Sequence, residues 1–309
     1  MIDKHGNMGP TSRPDVTVCV PVYNASKFIG ETLESIRNQT YPGFRVLISV
    51  DQSDDQSAAI CQAFDLGKPV RVNVKDRHQG LAGNINALLS EVETPYFCII
   101  PHDDIIESDY ITTLVSYLKE TPKATVTYSD MNFFGQTTGI FAQQPLLGSR
   151  LSRVLTFLNE HNRAIPFRGM IRRDRLPRNA ILPQNEWQDF ACDTAWVLQL
   201  ACLGEIHRLD TTRVLYRKRA HGKSTVARWF RERQQWHHDA WFAHCLDCAR
   251  IVLNQQYTEE ELKLVVRALV GRLVMATPNM WQASGIAEFS IEDKQVLSEK
   301  FLDQIVHLV

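Results

Sequence analysis

Apolar and polar residues alternate along the first hundred positions in blocks that have the lengths of strands and helices. Short apolar runs lie at 16–22, 44–50, 70–74 and 96–100. Between them, apolar residues recur every three or four positions, as they do on one face of a helix. Because strands that alternate with helices pair in parallel through right-handed crossovers, the pattern predicts an α/β fold with a mostly parallel sheet flanked by helices.

Polar residues follow the ends of the predicted strands. Tyr23 and Asn24 follow the first strand, Asp51 and Ser53 the second, and Arg77 the third. In an open α/β sheet, ligands bind beyond the carboxyl ends of the strands, so these side chains are predicted to border one cleft. The same residue types cap helices, and capping is the alternative for Asn24 and Ser26 before the first helix and for residues 51–55 before the second.

The fourth apolar run ends in two adjacent carboxylates, Asp103 and Asp104. Hard divalent cations prefer oxygen ligands, so an acid pair at the end of a buried strand suits Mg²⁺ or Mn²⁺. Adjacent Asp residues are also common in surface turns, where they accept backbone hydrogen bonds. The pair is therefore a candidate metal site that needs support from the rest of the chain.

Long helical patterns replace this alternation toward the C-terminus. They cover 229–254, 258–275 and 291–309, and Thr258 with Glu261 has the form of a capping box. The first of these helices is rich in aromatic residues, which favours packing on the preceding domain over a membrane or dimer contact. We divide the chain into a tail (1–14), an α/β catalytic domain (15–226) and a helical C-terminal region (227–309).

Composition and charge favour a soluble enzyme. The chain has 309 residues, of which 44% are hydrophobic, and a formal net charge of −1. No apolar stretch approaches the length of about 20 residues that crosses a bilayer, and 1–14 lacks the apolar core of a signal peptide, so we expect a cytoplasmic protein. The segments 150–178 and 208–233 are rich in Lys and Arg, which is typical either of solvated faces or of a surface that faces anions. No nucleic-acid recognition motif accompanies these residues.

In order and spacing, six segments resemble the family 2 glycosyltransferases, which have the GT-A fold and use nucleotide-diphospho-sugars. The resemblance covers about 15–224. It implies an inverting, metal-dependent sugar transfer, a mixed and mostly parallel Rossmann-like sheet, a nucleotide-sugar half in 15–130 and an acceptor half in 131–226. The six segments are 20–24, 35–42, 50–55, 80–86, 102–104 and 193–204.

The resemblance assigns nucleotide binding to residues that mostly follow the strands. A Tyr ring such as that of Tyr23 can lie on a pyrimidine face, and a carboxylate such as that of Asp51 can accept a hydrogen bond from uracil N3–H, so a uridine nucleotide is favoured. For Asn86, packing within the third helix is an equal alternative. The assigned residues are Pro21, Tyr23, Asn24, Asp51, Ser53, Arg77, Asn86 and Asp103.

The resemblance also assigns the chemistry of the site. Asp103 and Asp104 would hold Mn²⁺ or Mg²⁺, and His221 would be a further metal ligand or a phosphate donor. Asp193 would be the catalytic base. Asp189 is the fallback base, because it shares one helical face with Asp193 if the helix begins early enough.

The implied partners are a nucleotide-sugar donor and a glycan or lipid-linked acceptor in the synthesis of a bacterial-type surface polysaccharide. Peripheral contact with the inner face of a membrane and a homodimer through the C-terminal helices are further expectations, and nucleic acid is not expected. A nucleotidyltransferase and a non-catalytic nucleotide-sugar-binding module remain as alternatives. A zinc site that includes His244 and Cys248 is a weaker one, because these residues lie in a continuous helical pattern.

Overall fold

A computed structural model describes most of the chain and confirms the predicted α/β fold with a helical C-terminal region. The described residues are 13–135, 138–160, 164–178, 180–218, 237–274 and 290–308.

Strands and helices alternate through the first half of the molecule as the sequence pattern predicts. The helices are α1 (Ile29–Arg37), α2 (Ser57–Ala63), α3 (Gly80–Ser90), α4 (Tyr110–Glu120), α5 (Arg150–Asn159), α6 (Cys192–Leu203), α7 (His237–Leu253), α8 (Glu259–Val274) and α9 (Ile291–Ile305). The strands are β1 (Val16–Val22), β2 (Phe44–Val50), β3 (Val70–Val74), β4 (Tyr96–Ile99), β5 (Ile105–Ile106), β6 (Ala124–Gly135), β7 (Gly139–Phe141), β8 (Met170–Arg172) and β9 (Glu205–Lys218).

A mixed sheet forms the centre of the molecule, with the strand order β3-β2-β1-β4-β8-β6-β9-β5 in the described part of the chain. The first four strands in this order are parallel, and Val16 of β1 pairs with Phe44 of β2 and with Tyr96 of β4. Strand β1 is buried along its whole length, as expected for a parallel strand covered by helices on both faces. This register brings the carboxyl ends of β1 and β2 to one edge, where a ligand can bind.

The other half of the sheet brings a late segment of the chain beside the acid pair. Strand β8 is antiparallel to β4 and β6, whereas the long strands β6 and β9 run parallel to each other. Strand β5, directly after Asp104, pairs with β9, so that Ile105 lies opposite Leu215. Residues near the end of β9 therefore reach the segment that carries the two carboxylates.

The C-terminal helices pack on the α/β domain and share its hydrophobic core. Helix α7 packs on α6, and helix α8 packs on α5. Trp241 donates a hydrogen bond from Nε1 to the carbonyl of Leu273 at 3.0 Å, which joins α7 to α8. The predicted capping box is present, because the Thr258 and Glu261 side chains each bond the other residue's backbone N–H. Across the described ranges, no helix combines the length and apolar character that a membrane span requires.

Gly204 ends α6 at a point where no side chain fits. A Cβ atom placed there would lie 2.0 Å from Oγ1 of Thr125, whose side chain is buried in β6. We expect Gly204→Ala to lower the free energy of unfolding by about 1–3 kcal/mol, because an inserted methyl forces its neighbours apart. Urea unfolding is the measurement.

Gly271 in α8 is the matched control, since a Cβ there meets no atom within 4 Å. Gly271→Ala should leave the stability unchanged or raise it by up to about 1 kcal/mol, because alanine favours a helix interior. Equal effects of the two substitutions would contradict the steric argument.

Candidate functional site

A cleft of about 390 Å³ opens at the carboxyl ends of β1 and β2, beside the first turn of α3. Four of the predicted site residues line it: Pro21, Tyr23, Asp51 and Asp193. The other lining residues are Val22, His78, Gly80, Leu81, Asn84, His102, Trp187, Gln188, Asp189, Phe190, Ala191 and Thr194.

Hydrogen bonds join the loops after β1 and β2. The backbone N–H of Asn24 donates to Oγ of Ser53 at 3.1 Å, and Oδ1 of Asn24 accepts from the N–H of Asp54 at 2.9 Å. Asn24 adopts a positive φ of 45°, a conformation that Asn tolerates better than most residues. The Asn24 and Ser53 side chains thus shape this rim of the cleft, and their predicted contact with a nucleotide stays a prediction.

Helix capping in this region agrees with the sequence-based alternative for residues 51–55 only through Asp55. Asp55, not Asp51, caps α2, through a 2.9 Å hydrogen bond from the N–H of Ser57. Burial alone would raise the pKa of Asp55, but hydrogen bonds from Ser57 and Ser26 lower it to about 2. Asn24 is not the cap of α1, because that helix begins at Ile29 and its first turn has no side-chain cap.

Asp51 caps α3 instead of α2. It is 1% exposed, and its two oxygens accept hydrogen bonds from the backbone N–H groups of Gln52, Gln79 and Gly80 at 2.9–3.1 Å. Nδ1 of His78 lies 2.9 Å from Oδ2 of Asp51. The free N–H groups at a helix N-terminus favour a negative charge, which explains why a carboxylate is stable here at almost full burial.

A second carboxylate reaches the same helix end from far along the chain. Oδ2 of Asp189 accepts from the N–H of Ala82 at 2.9 Å, and Oδ1 accepts from the N–H of Asn185 at 3.3 Å. The loop that carries it is strained, since Gln188, Asp189 and Ala191 all have positive φ. Strain of this kind is common where a loop is held in place for a ligand.

The expectation that Asp189 and Asp193 share one helical face is wrong. Helix α6 begins at Cys192, so Asp189 belongs to the preceding loop. Both Asp189 oxygens already bind backbone N–H groups, which leaves Asp193 as the better candidate for a base.

Asn86 and Arg77 lie at the edges of this arrangement. The amide of Asn86 makes two hydrogen bonds with the backbone of Leu182, at 2.8 and 3.0 Å, and so holds the loop before α6 against α3. This geometry fits the packing alternative for Asn86. Arg77 is exposed, whereas its neighbour His78 lines the cleft.

The two carboxylates of the acid pair have different surroundings. Asp104 is fully buried, and its Oδ2 lies 2.5 Å from Nε of Arg168, while its Oδ1 is a buried oxygen without a hydrogen-bond partner. Burial raises the pKa of Asp104 to about 6, against the lowering effect of Arg168. Asp103 is only half-buried and is thus nearer to solvent.

Asp193 lies in the first turn of α6, where it lines the cleft and is half-buried. Oδ1 accepts a hydrogen bond from the N–H of Thr194 at 2.7 Å. Burial raises the pKa of Asp193, while the Thr194 N–H and the charge of Arg168 oppose that increase. A carboxylate with a raised pKa, facing a cleft, is well suited to accept a proton.

Sequence reasoning missed Arg168, His78 and His102. Arg168 interacts electrostatically with both Asp104 and Asp193, and its backbone carbonyl accepts from the Tyr110 hydroxyl at 2.9 Å. The sequence shows that segment 150–178 is rich in arginine, but it does not show which of these arginines pairs with the buried Asp104. His102 bonds the carbonyl of Pro21 through Nδ1 at 3.2 Å.

The carboxylate oxygens of Asp103 and Asp104 are of the ligand type that a divalent cation takes. Mg²⁺ and Mn²⁺ sites commonly combine one or two carboxylates with substrate phosphates, and Asp104 supplies a buried oxygen that has no partner. Within the described ranges, no group of three or more His, Cys, Asp or Glu side chains could hold a metal by itself, so the zinc alternative gains no support. His221, the further predicted ligand, lies outside the described residues.

One family model matches the chain. The model of Glycosyl transferase family 2 matches residues 17–176, just over half of the chain. The glycosyltransferase GlyG of Streptococcus pneumoniae serotype 4 is 33% identical over 132 residues, which cover 40% of this chain and 44% of GlyG. The chain spans less than half of the length of the first curated relatives that it matches.

Two solved structures have the same fold. S. aureus TarS 1–349 in complex with UDP-GlcNAc matches with a TM-score of 0.66 and 18% identity, over 96% of this chain and 81% of that one. The mannosyltransferase PcManGT from Pyrobaculum calidifontis, in complex with GDP-Man and Mn²⁺, matches with a TM-score of 0.56 and 16% identity, over 97% and 86% of the two chains.

The buried pair of Asp104 and Arg168 gives a stability prediction. Arg168→Met should lower the free energy of unfolding at pH 8 by about 3–5 kcal/mol, because it leaves a buried carboxylate without its cation. In this variant, the pKa of Asp104 is higher in the folded than in the unfolded state. Protonation at low pH therefore favours folding, and the loss should be smaller at pH 5 than at pH 8. Urea unfolding at both pH values is the measurement.

The double substitution Arg168→Met with Asp104→Asn is the control. Since it removes the unpaired charge, it should recover part of the lost stability. Its own free energy of unfolding should no longer contain the change between pH 5 and pH 8 that Asp104 contributes in Arg168→Met. A double variant as unstable and as pH-dependent as the single one would show that the pair does not act through charge.

Proposed function

This chain belongs to glycosyl transferase family 2. On that basis, we propose that it is a glycosyltransferase that transfers a sugar, with inversion, from a UDP-linked donor to a hydroxyl group of a glycan or lipid-linked acceptor. The observation that carries the proposal is the convergence of distant segments on one cleft. Pro21 and Tyr23 after β1, Asp51 after β2 and Asp193 at the start of α6 all line it. Synthesis of a bacterial-type surface polysaccharide is the process in which we place the reaction.

Asp193 is the proposed catalytic base. In an inverting transfer, the acceptor oxygen attacks the anomeric carbon as the bond from that carbon to the diphosphate oxygen breaks, and the hydroxyl proton passes to the base. The raised pKa of Asp193 brings its basicity closer to that required near neutral pH. Because only the deprotonated carboxylate accepts the proton, kcat/KM should fall as the pH drops through this pKa.

The donor nucleotide is proposed to bind at the β1 and β2 side of the cleft. Tyr23 is 41% exposed there, so its ring face is available to a base. The neighbouring TarS structure contains UDP-GlcNAc, which supports a uridine nucleotide for a chain of the same fold. Asn24 and Ser53 would hold the ribose side of the rim, and Arg77 is an exposed cation at its edge.

A divalent cation is proposed to accompany the diphosphate. Asp103, which is half-buried, and the unpartnered Oδ1 of Asp104 would hold Mn²⁺ or Mg²⁺, with His221 as a further ligand. When bound, such an ion supplies positive charge that stabilises the leaving diphosphate. The complex of PcManGT with GDP-Man and Mn²⁺ supports a metal for this fold.

A panel of sugar nucleotides tests the proposal as a whole. UDP-, GDP- and TDP-linked hexoses, each with Mn²⁺ or Mg²⁺, would be scored for binding and for slow release of the nucleoside diphosphate. We expect release from a UDP-sugar. Binding without release in the presence of neutral and phosphate-bearing acceptors would favour a non-catalytic module instead.

Asp193→Asn should lower kcat by about 10²–10⁴-fold, because the amide cannot accept the proton. The affinity for UDP should stay within about twofold of wild type, since the side chain is proposed to act on the acceptor. Donor turnover and calorimetric titration with UDP are the measurements. Asp303→Asn, on an exposed face of α9, is the matched control and should retain full activity. Near-normal turnover by Asp193→Asn would refute the assignment.

Asp103→Asn should weaken Mn²⁺ binding in the presence of UDP by about tenfold or more, because a neutral amide is a poorer ligand than a carboxylate. The measurement is electron paramagnetic resonance of free Mn²⁺ during titration, which does not depend on turnover. Asp76→Asn, an exposed residue after β3, serves as the control. An unchanged Mn²⁺ affinity in Asp103→Asn would remove Asp103 from the metal site.

A further inference from the structure

Residues 182–191, which form neither helix nor strand, lead into the proposed base, and we call them the base loop. Its first residue is bound to α3, because the side-chain amide of Asn86 exchanges two hydrogen bonds with the backbone of Leu182, at 2.8 and 3.0 Å. Near its other end, Oδ2 of Asp189 accepts from the N–H of Ala82 at 2.9 Å. One side of the base loop is therefore fixed along α3.

Asn185 closes the middle of the base loop. Its Oδ1 accepts hydrogen bonds from the N–H groups of Trp187 and Phe190, both at 3.1 Å, and its Nδ2 donates to the carbonyl of Phe190 at 3.2 Å. The residues with positive φ, among them Asp189, come directly after these bonds. A strained backbone of this kind persists only where its surroundings hold it in place.

Helix α7 covers the base loop from a second side. Ala240 is fully buried in α7, and the side chains of Trp187 and Phe190 pack against it. One helical turn further on, the rings of His244 and Phe190 meet edge to face, with centroids 6.4 Å apart and planes at 88°. Because residues i and i+4 lie on one face of a helix, Ala240 and His244 form a single contact face for the base loop.

This contact face of α7 is itself held by α8. Nη2 of Arg272, in α8, lies 3.3 Å from Nε2 of His244. The guanidinium of Arg272 also lies over the rings of Trp241 and Phe157, 5.6 and 5.1 Å from their centroids. His244 and Arg272 are both buried, and contacts between a cation and an aromatic ring are stronger where water is excluded. The support behind the base loop is therefore firm.

We propose that α7 positions the catalytic base, and that Ala240 and Asn185 are positioning residues, which hold the base loop against α3 and so fix the carboxylate of Asp193 at the cleft. This inference rests on the proposed role of Asp193. It gives a function to the C-terminal helices, which lie beyond the residues 17–176 that the family model matches. Neither Ala240 nor Asn185 is among the residues that line the cleft, so their effect on turnover has to pass through the base loop.

Ala240→Val tests the inference, because two added methyl groups at a fully buried position push Trp187 and Phe190 away. The rate of UDP release at saturating UDP-sugar should fall about tenfold or more, since small displacements of a catalytic group are costly. The dissociation constant of UDP should stay within about twofold of wild type, because the base is proposed to act on the acceptor. Calorimetry and the release assay are the measurements.

Ala249→Val is the matched control. Ala249 is also fully buried in α7, but it follows Ala240 by nine residues and so lies on the opposite face of the helix. Both substitutions should lower the midpoint of urea unfolding, whereas only Ala240→Val should slow UDP release. Only Ala240→Val should also speed hydrogen exchange of the amides in the base loop, a readout that does not depend on turnover.

A second pair of variants covers the case in which Ala240→Val does not fold. Asn185→Ala removes the bonds that close the base loop and should slow UDP release, with little change in UDP affinity. Asn185→Asp keeps an oxygen for the N–H groups of Trp187 and Phe190, so it should retain more of the rate. Equal rates in the two alanine-to-valine variants, in an active enzyme, would overturn this inference alone. Wild type that releases no nucleoside diphosphate would overturn the proposed function instead.

Discussion

The ion pair between Asp104 and Arg168 is the interaction on which the rest of the site depends. Asp104 is fully buried at the end of the parallel strands, and Arg168 reaches it from a turn just before β8. A carboxylate in such surroundings requires a compensating charge, because burial alone would drive it to its neutral form. The same guanidinium acts on Asp193, so one cation links the acid pair to the proposed base.

A second constraint operates at the N-terminus of α3, where two carboxylates meet. Asp51 comes from the end of β2 and Asp189 from the loop before α6, and each satisfies backbone N–H groups of the same helix turn. Helix termini leave such groups unpaired, so the helix end attracts both segments. As a result, the strained loop that leads to Asp193 is tied to the side of the cleft that the end of β2 forms.

Periodicity along the chain was sufficient to predict the four parallel strands and the presence of C-terminal helices, but not the strands β5 to β9 or the helices α4 and α5. The apolar runs of β1 and β2 are local patterns whose signal is carried by neighbouring residues. The helix α6 and its end at Gly204 were predicted from the family resemblance instead. Motif spacing likewise placed Tyr23 and Asp193 in one cleft, as the structure shows. The helical face proposed for Asp189 failed for a local reason, since a run of positive φ values ends before α6 begins.

The amino-acid sequence by itself determined the alternation of strands and helices, the family and the positions of the acidic residues. Only the tertiary structure decided which partner each of them meets: Arg168 for Asp104, and the turn of α3 with His78 for Asp51. The physical reason is that local periodicity reflects which side of an element is buried. Hydrogen bonds and charge pairs between residues 27 to 107 positions apart depend on how the whole sheet is assembled.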